Sequence, residues 1–184
     1  IINRLLIGEI PKKTASLLYA ALAADTGGFR YVNTTPVTHK IAAKLIERGA
    51  NHADICRNLF ECKTKTALAA EAFAMSNVKY RAGGKISFVK ITKEDKLAHG
   101  FEDEDTYDVI NVIRRVDGVK VAILVREKED GSYKISTRSA CEIDVSKICA
   151  IFGGGGHAGA AGASMACTMD EAVAALIEAI PEIE

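Results

Sequence analysis

Apolar residues recur at helical spacing through the first third of the chain. Ala15, Leu17, Leu18, Ala21, Leu22 and Ala24 make a broad stripe behind Pro11, a residue suited to a first helical turn, and the stripe stops at Asp25-Thr26-Gly27-Gly28. A second helix is predicted from Thr35 as N-cap and Pro36 at the first position, with Ile41, Ala42, Leu45 and Ile46 as its apolar face and Gly49 as its stop. Asn51 followed by Asp54 opens a third through Ile55, Leu59 and Phe60, and an alanine-rich stretch from Thr64 to Ser76 makes a fourth. The period then shortens. Lys85 to Ile91, Lys120 to Arg126 and Tyr133 to Arg138 read as strands, the last two joined by the hairpin signal Asp130-Gly131. Between the first two, Val109, Ile110, Val112, Ile113 and Val116 return to helical spacing within a helix expected over Asp105 to Val116. A short helix from Val145 to Phe152, a strand around Ala163 to Ala166, and a last helix opened by the capping box Thr168-Met-Asp-Glu171 and ended by Pro181 complete the pattern. The expected fold class is α/β: a helical segment up to about residue 76, then a compact mixed-sheet unit of about a hundred residues.

Composition narrows the function. The 184 residues are 48% hydrophobic, which suits one large domain or two small ones. Lys and Arg number 24 against 24 Asp and Glu, and this balance disfavours a protein that coats long nucleic acids by counterion release, while leaving a short or single-nucleotide ligand open. Cys56, Cys62, Cys141, Cys149 and Cys167 are odd in number and lack C-x-x-C spacing, so they read as free or buried thiols in a reducing compartment, the cytoplasm. No apolar run reaches the roughly 18 residues of a membrane span. The first residue is Ile1 rather than Met, which suggests a piece of a longer protein.

Gly153 to Gly156 is followed at once by His157, then by Ala158-Gly159-Ala160-Ala161-Gly162. Four consecutive glycines lose more backbone entropy on folding than any other run of four, so something requires close approach. The candidates are a tight crossing of a neighbouring element and a nest of peptide N–H groups around an anion. His157 favours the second, because an imidazole beside N–H donors completes a site for a phosphate or carboxylate; a histidine satisfied within a glycine turn is the alternative. Gly154, Gly156 and Gly159 form a G-x-G-x-x-G, yet the stretch follows a helix rather than a strand, so no dinucleotide fingerprint is read, and no Gly-Lys-Ser/Thr follows to make a P-loop.

Arg138 and Ser139 end the preceding strand, where a guanidinium and a hydroxyl suit the same phosphate. Asp25, in Asp25-Thr-Gly-Gly-Phe-Arg30, is presented by glycines after an apolar helix. His39, His52 and His99 lack partners at metal-ligand spacing and read as surface residues, His99 within an acidic loop. Glu102 to Asp105 reads as a solvated run at a helix N-terminus.

The glycine-histidine stretch resembles the signature of the DHH-associated C-terminal domain of DHH phosphoesterases. Asp25 to Arg30 with Thr34-Thr35-Pro36, Asn111, Ser136-Thr-Arg-Ser139 and Val145 match further parts of that pattern in the same order, so the resemblance covers nearly the whole chain. It is nearest to the bacterial branch of oligoribonucleases and 3'-phosphoadenosine-5'-phosphate phosphatases. This resemblance implies residues 1–62 as the C-terminal part of the catalytic domain, 63–77 as a connecting helix and 78–184 as the substrate-binding domain. It also implies two manganese ions with Asp25 as one metal ligand, and substrate contacts from Arg138, Ser139, Gly154, Gly155, Gly156 and His157, with Arg30 and Asn111 as further contacts. The implied substrates are short single-stranded RNA and adenosine 3',5'-bisphosphate, their shortness set by a closed cleft, and the implied assembly is a homodimer.

The chain departs from the family in lacking Asp-His-His and H-x-x-x-D-x-D, so it is expected to be inactive by itself. Within the resemblance, linear dinucleotides, polyphosphate and single-stranded DNA are alternative substrates. Outside it stand a non-catalytic nucleic-acid-binding module, as in alanyl-tRNA synthetases, and a structural domain with an inert glycine turn.

Overall fold

The computed structural model describes residues 10–140 and 143–183, and Cys141 among the thiols lies outside them. The chain divides into two compact units, Ile1–Lys63 and Thr64–Glu184.

In the first unit, α1 (Lys12–Asp25), α2 (Pro36–Glu47) and α3 (His52–Cys56) pack around Ala15, Tyr19, Ala23, Ala42, Leu45 and Ala50. Thr35 caps α2 as expected, its hydroxyl accepting from the Thr38 N–H, and Asn51 does the same for α3 through Asp54. The buried face of α1 differs from the predicted stripe. It runs through Ala15, Tyr19 and Ala23 at four-residue steps, leaving Leu17 63% exposed, because the tyrosine ring rather than the leucine meets α3 at Cys56. The third helix is also shorter than expected. It ends at Cys56, and a π-helical turn over Arg57–Glu61 carries Leu59 and Phe60.

The second unit is a three-layer α/β arrangement. Its six strands are β1 (Lys79–Arg81), β2 (Ile86–Ile91), β3 (Val121–Glu127), β4 (Tyr133–Ser139), β5 (Gly155–His157) and β6 (Ala160–Met165), in the order β1-β2-β3-β4-β6-β5. The β2–β3 pair is parallel and every other pair is antiparallel. Helix α4 (Lys65–Asn77) and the short α6 (Val109–Ile113) bury Ala70, Phe73, Val109, Ile110 and Ile113 against one sheet face. Helices α7 (Val145–Ile151) and α8 (Met169–Ala179) bury Val145, Ile148, Ala172 and Leu176 against the other. Helix α5 (Lys93–His99) stands where the sequence suggested an acidic loop: Thr92 and Asp95 make a reciprocal capping box, and Gly100 closes it in the left-handed conformation. The helix expected over Asp105 to Val116 contracts to α6 behind a 3-10 turn at Glu104–Thr106. The acidic run is not simply solvated, since Asp103 pairs with Lys96 at 3.1 Å and Asp105 accepts from the Thr66 hydroxyl at 2.8 Å.

Several carboxylates in these caps are held below their usual range. For Asp105 the main cause is the Glu102 N–H, for Asp144 the Ser146 hydroxyl, and for Glu171 the Thr168 N–H. Depressed folded-state values mean that the ionised forms stabilise the fold above their unfolded values, around pH 4, and that this contribution is lost as pH falls through the folded ones. Thermal unfolding followed by circular dichroism is expected to give a steady midpoint from pH 7 to 5 and a falling one below about pH 4; a midpoint that rises on acidification would contradict these assignments.

Candidate functional site

Coverage of the sheet decides where a ligand can reach it. Strands β2 and β3 are nearly continuous apolar runs, and both of their faces are covered: Ile86, Phe88, Val121, Ile123 and Val125 on the α7/α8 side, Val89, Ile91, Ala122 and Leu124 on the α4/α6 side. Strand β4 alternates instead. Ile135, Thr137 and Ser139 are buried, while Lys134, Ser136 and Arg138 are half-buried on the other face. In β6, Ala161 and Ala163 are buried, Gly162 is half-buried and Ser164 is exposed. Among the described residues, the α4/α6 side of the sheet is therefore covered over β4 only where α6 reaches it and is uncapped over β6 and β5.

Register builds the site on that face. Arg138 lies opposite Ala160, which lies opposite His157. Directly paired residues point to the same side, so the three form one lateral row in which the Arg138 and His157 Cα atoms are two strand spacings apart, about 10 Å. Ser136, Gly162 and Gly155 form the adjacent row. The Arg138 side chain is steadied by Nη1 donating to the Thr137 carbonyl at 2.9 Å, and His157 is exposed.

The glycine stretch is a hairpin arm, and its members have different reasons to be glycine. The N–H groups of Gly153 and Gly154 donate to the Ala150 and Cys149 carbonyls at 3.1 and 2.9 Å, terminating α7. Gly154 is thus a helix-terminating donor rather than an open anion-binding one. A Cβ on Gly154 would collide with the Gly162 carbonyl oxygen and lie 2.7 Å from the Ala163 Cβ; on Gly156 it would lie 2.5 Å from the Ala160 oxygen. Close crossing of β5 over β6 accounts for both. A Cβ on Gly155 would meet nothing within 4 Å, and this residue shares the face of His157 and Arg138. The hairpin tip is clamped from below, where Val145 N–H donates to the Ala158 carbonyl at 2.9 Å and Ser139 N–H to the Gly159 carbonyl at 3.1 Å. Under it, burial pushes the Cys149 thiol up, against a hydrogen bond with the Thr137 hydroxyl, so it stays a neutral packing group.

Other predicted site residues fall elsewhere. The Ser139 side chain does not join Arg138: it follows in the alternation, shares a row with Val121 and is 8% exposed on the opposite face. Asn111 is half-buried on α6, which packs on β3 and β4, and donates to Asp108 Oδ1 at 2.7 Å. In the first unit, the exposed Asp25 ends α1, its carboxylate accepting from Asn33 Nδ2 at 3.0 Å. Gly27, Gly28 and Phe29 follow with φ of 56°, 69° and 65°, a left-handed run in which Phe29 is strained, its N–H held by the Thr26 hydroxyl at 3.1 Å. Arg30 donates from Nε to the Gly27 carbonyl and lies over the Phe60 ring at 5.7 Å. Among the described residues no three His, Cys, Asp or Glu side chains cluster as a metal site, and Asp25 has none of these residue types grouped with it in such a set. Sequence reasoning missed Ser136 and Ala160 as parts of the floor, because a small residue signals a site only once its row is known.

This is an α/β domain whose mixed sheet sets Arg138, Ala160 and His157 in one row on a face of mostly small residues. The chain belongs to the DHHA1 domain family, whose model matches residues 83–183. It is similar to the bifunctional oligoribonuclease and PAP phosphatase NrnA of Thermus thermophilus, 31% identical over 175 residues, covering 95% of this chain and 52% of that protein. The protein of the same name from Bacillus subtilis is 29% identical over 157 residues, covering 85% of this chain and 49% of that one. The crystal structure of an exopolyphosphatase-related protein from Bacteroides fragilis matches with a TM-score of 0.86 at 27% identity, over 92% of this chain and 50% of that one. The chain thus spans about half the length of these relatives.

The three glycines separate experimentally. Gly154→Ala and Gly156→Ala are each expected to cost about 1–3 kcal/mol in urea unfolding, whereas Gly155→Ala should stay neutral or gain up to about 1 kcal/mol. Equal losses at all three positions would refute the division.

Proposed function

We propose that this chain supplies the substrate-binding half of a manganese-dependent phosphoesterase that hydrolyses short oligoribonucleotides and 3'-phosphoadenosine 5'-phosphate. The observation that carries the reading is the Arg138–Ala160–His157 row beside the side-chain-free Gly155. The guanidinium offers a planar fork to a terminal phosphate and the imidazole approaches the same group from two strands away. Ala160 between them and Gly155 in the next row keep the space for the phosphate and its sugar open. The names of the Thermus and Bacillus relatives support the substrate class. A glycine at 155 is otherwise hard to explain, since alanine there would remove about 0.5–1 kcal/mol of backbone entropy cost without a clash.

Asp25 enters the proposal as one metal-ligand carboxylate, with the rest of the ligand set lying outside these 184 residues. A cytoplasmic location and a homodimer belong to the same reading. No described helix is long and apolar enough to cross a membrane.

Calorimetric titration of this chain with adenosine 3',5'-bisphosphate is expected to show one site. Arg138→Ala and His157→Ala should each weaken it about tenfold or more, the scale of a lost charge-assisted hydrogen bond, with unfolding midpoints unchanged. Gly155→Ala should weaken binding without lowering stability. Supplied with Mn2+, the chain should bind without turnover. Unaltered affinity in the Arg138 and His157 variants would sink the site, and turnover by this chain would sink the placement of the metal ligands.

A further inference from the structure

The bare face continues along β4 past the Arg138 row and meets an aromatic ring at its other end. Lys134 stands on the same face as Ser136 and Arg138, four residues from the latter, so the two Cα atoms are about 13 Å apart. It lies opposite Arg126 on one side and Ser164 on the other. Arg126 is 2% exposed, and its Nη1 donates to the Thr106 hydroxyl at 2.7 Å. Burial pulls its pKa below the ordinary guanidinium value, against the attraction of Asp103. The Tyr107 ring collects both cations: the Arg126 guanidinium carbon lies 5.2 Å from its centroid and the Lys134 Nζ 5.7 Å.

Tyr107 nonetheless remains 59% exposed. The ring lies against a buried arginine that is itself hydrogen-bonded to the preceding residue, Thr106. Beside Lys134, an open depression of about 360 Å³ is lined by Lys134, Ile135, Gly153, Gly154, Gly162, Ala163 and Ser164, none of them acidic. The face thus carries a cation at each end, a small-residue floor between them, and one aromatic platform.

We propose that this end is a second nucleotide subsite of the same face: Tyr107 stacks the base of a further nucleotide, and Lys134 neutralises the phosphate that joins it to the residue held at Arg138 and His157. This rests on the reading of the Arg138 row as the terminal-phosphate site. The 13 Å span is about four stacked nucleotide steps of about 3.4 Å, so a single nucleotide fills one end, and a strand of two or three residues engages both only when it is extended rather than stacked on itself and is met by the long Arg138 and Lys134 side chains. Stacking on an aromatic face tolerates any base, so the subsite selects for strand length rather than sequence.

The test uses this 184-residue chain and three probes: adenosine 3',5'-bisphosphate, and di- and triadenylate bearing a terminal phosphate, with 2-aminopurine replacing each base in turn. The wild type is expected to bind triadenylate more tightly than the mononucleotide and to quench the 2-aminopurine of one internal or distal base. Tyr107→Leu should lower the ratio of triadenylate to mononucleotide affinity about tenfold and abolish that quenching, and Tyr107→Phe should restore both. Lys134→Ala should lower the same ratio and reduce the salt dependence of triadenylate binding by about one counterion; it decides the matter if Tyr107→Leu fails to fold. If Arg138→Ala weakens every probe while the Tyr107 and Lys134 variants leave the ratio intact, the second subsite is wrong and the first stands. If Arg138→Ala weakens none, both fall together.

Discussion

Uneven coverage of one sheet governs the rest of the second unit. A strand buried on both faces is expected to be mostly apolar, and β2 and β3 are, apart from Ser87 and Lys90 in the first and Arg126 and Glu127 in the second. Helices α4 and α6 reach no further than the near side of β4, so β4, β6 and β5 can place only small or polar residues on that side. The opposite side is sealed by α7 and α8 and carries the stability of this half of the sheet. A single strand's alternation thereby divides the two sides: Ile135 and Thr137 hold the fold while Ser136 and Arg138, one residue away, lie on the less covered side.

The hairpin that completes this face is built by contact rather than by flexibility. Gly154 and Gly156 let β5 cross β6 with no side chain between the backbones, and Gly162 is packed against the Ile135 carbonyl, where a Cβ would lie 2.8 Å from the oxygen. Each glycine weakens the strand by about 0.5–1 kcal/mol relative to alanine, yet the clash an alanine would bring at these positions is of larger scale, about 1–3 kcal/mol. The balance favours glycine on packing grounds alone there. Gly155 has no such reason, and it is the one whose missing side chain opens toward His157.

The elements that were legible in the sequence are those with a strong local signal. Thr35, Asn51 and Thr168 each cap the helix their spacing announced, and the alternation of Tyr133 to Arg138 correctly marked a strand. Three-residue strands gave no signal: β1 is too short for a period, and Gly-Gly-His in β5 has no apolar alternation to detect. Helix α5 carried a readable capping box at Thr92 and Asp95, masked by the charge of Lys93 to Lys96. On α1, equal apolarity at neighbouring positions concealed which face turns inward, and tertiary contact chose Tyr19 over Leu17. Arg138 and His157 were identifiable as residue types suited to an anion, but their common row depends on the Ala158-Gly159 turn that sets the register of β5 on β6. Ser139 failed to join them for the same reason of register, since adjacent residues in a strand cannot share a face.

The central claim is that the bare face of β4, β6 and β5 is where a nucleotide phosphate binds. The most direct measurement is an NMR titration of the isotope-labelled chain with adenosine 3',5'-bisphosphate, following side-chain and amide signals. The account predicts side-chain perturbations concentrated at Arg138, His157 and Ser136, amide shifts at Gly155 and Ala160, and little change in the side chains of Ile135, Val145 and Leu176 beneath the sheet. Perturbations centred on α8 or β1, with the Arg138 and His157 signals unmoved at saturation, would contradict it.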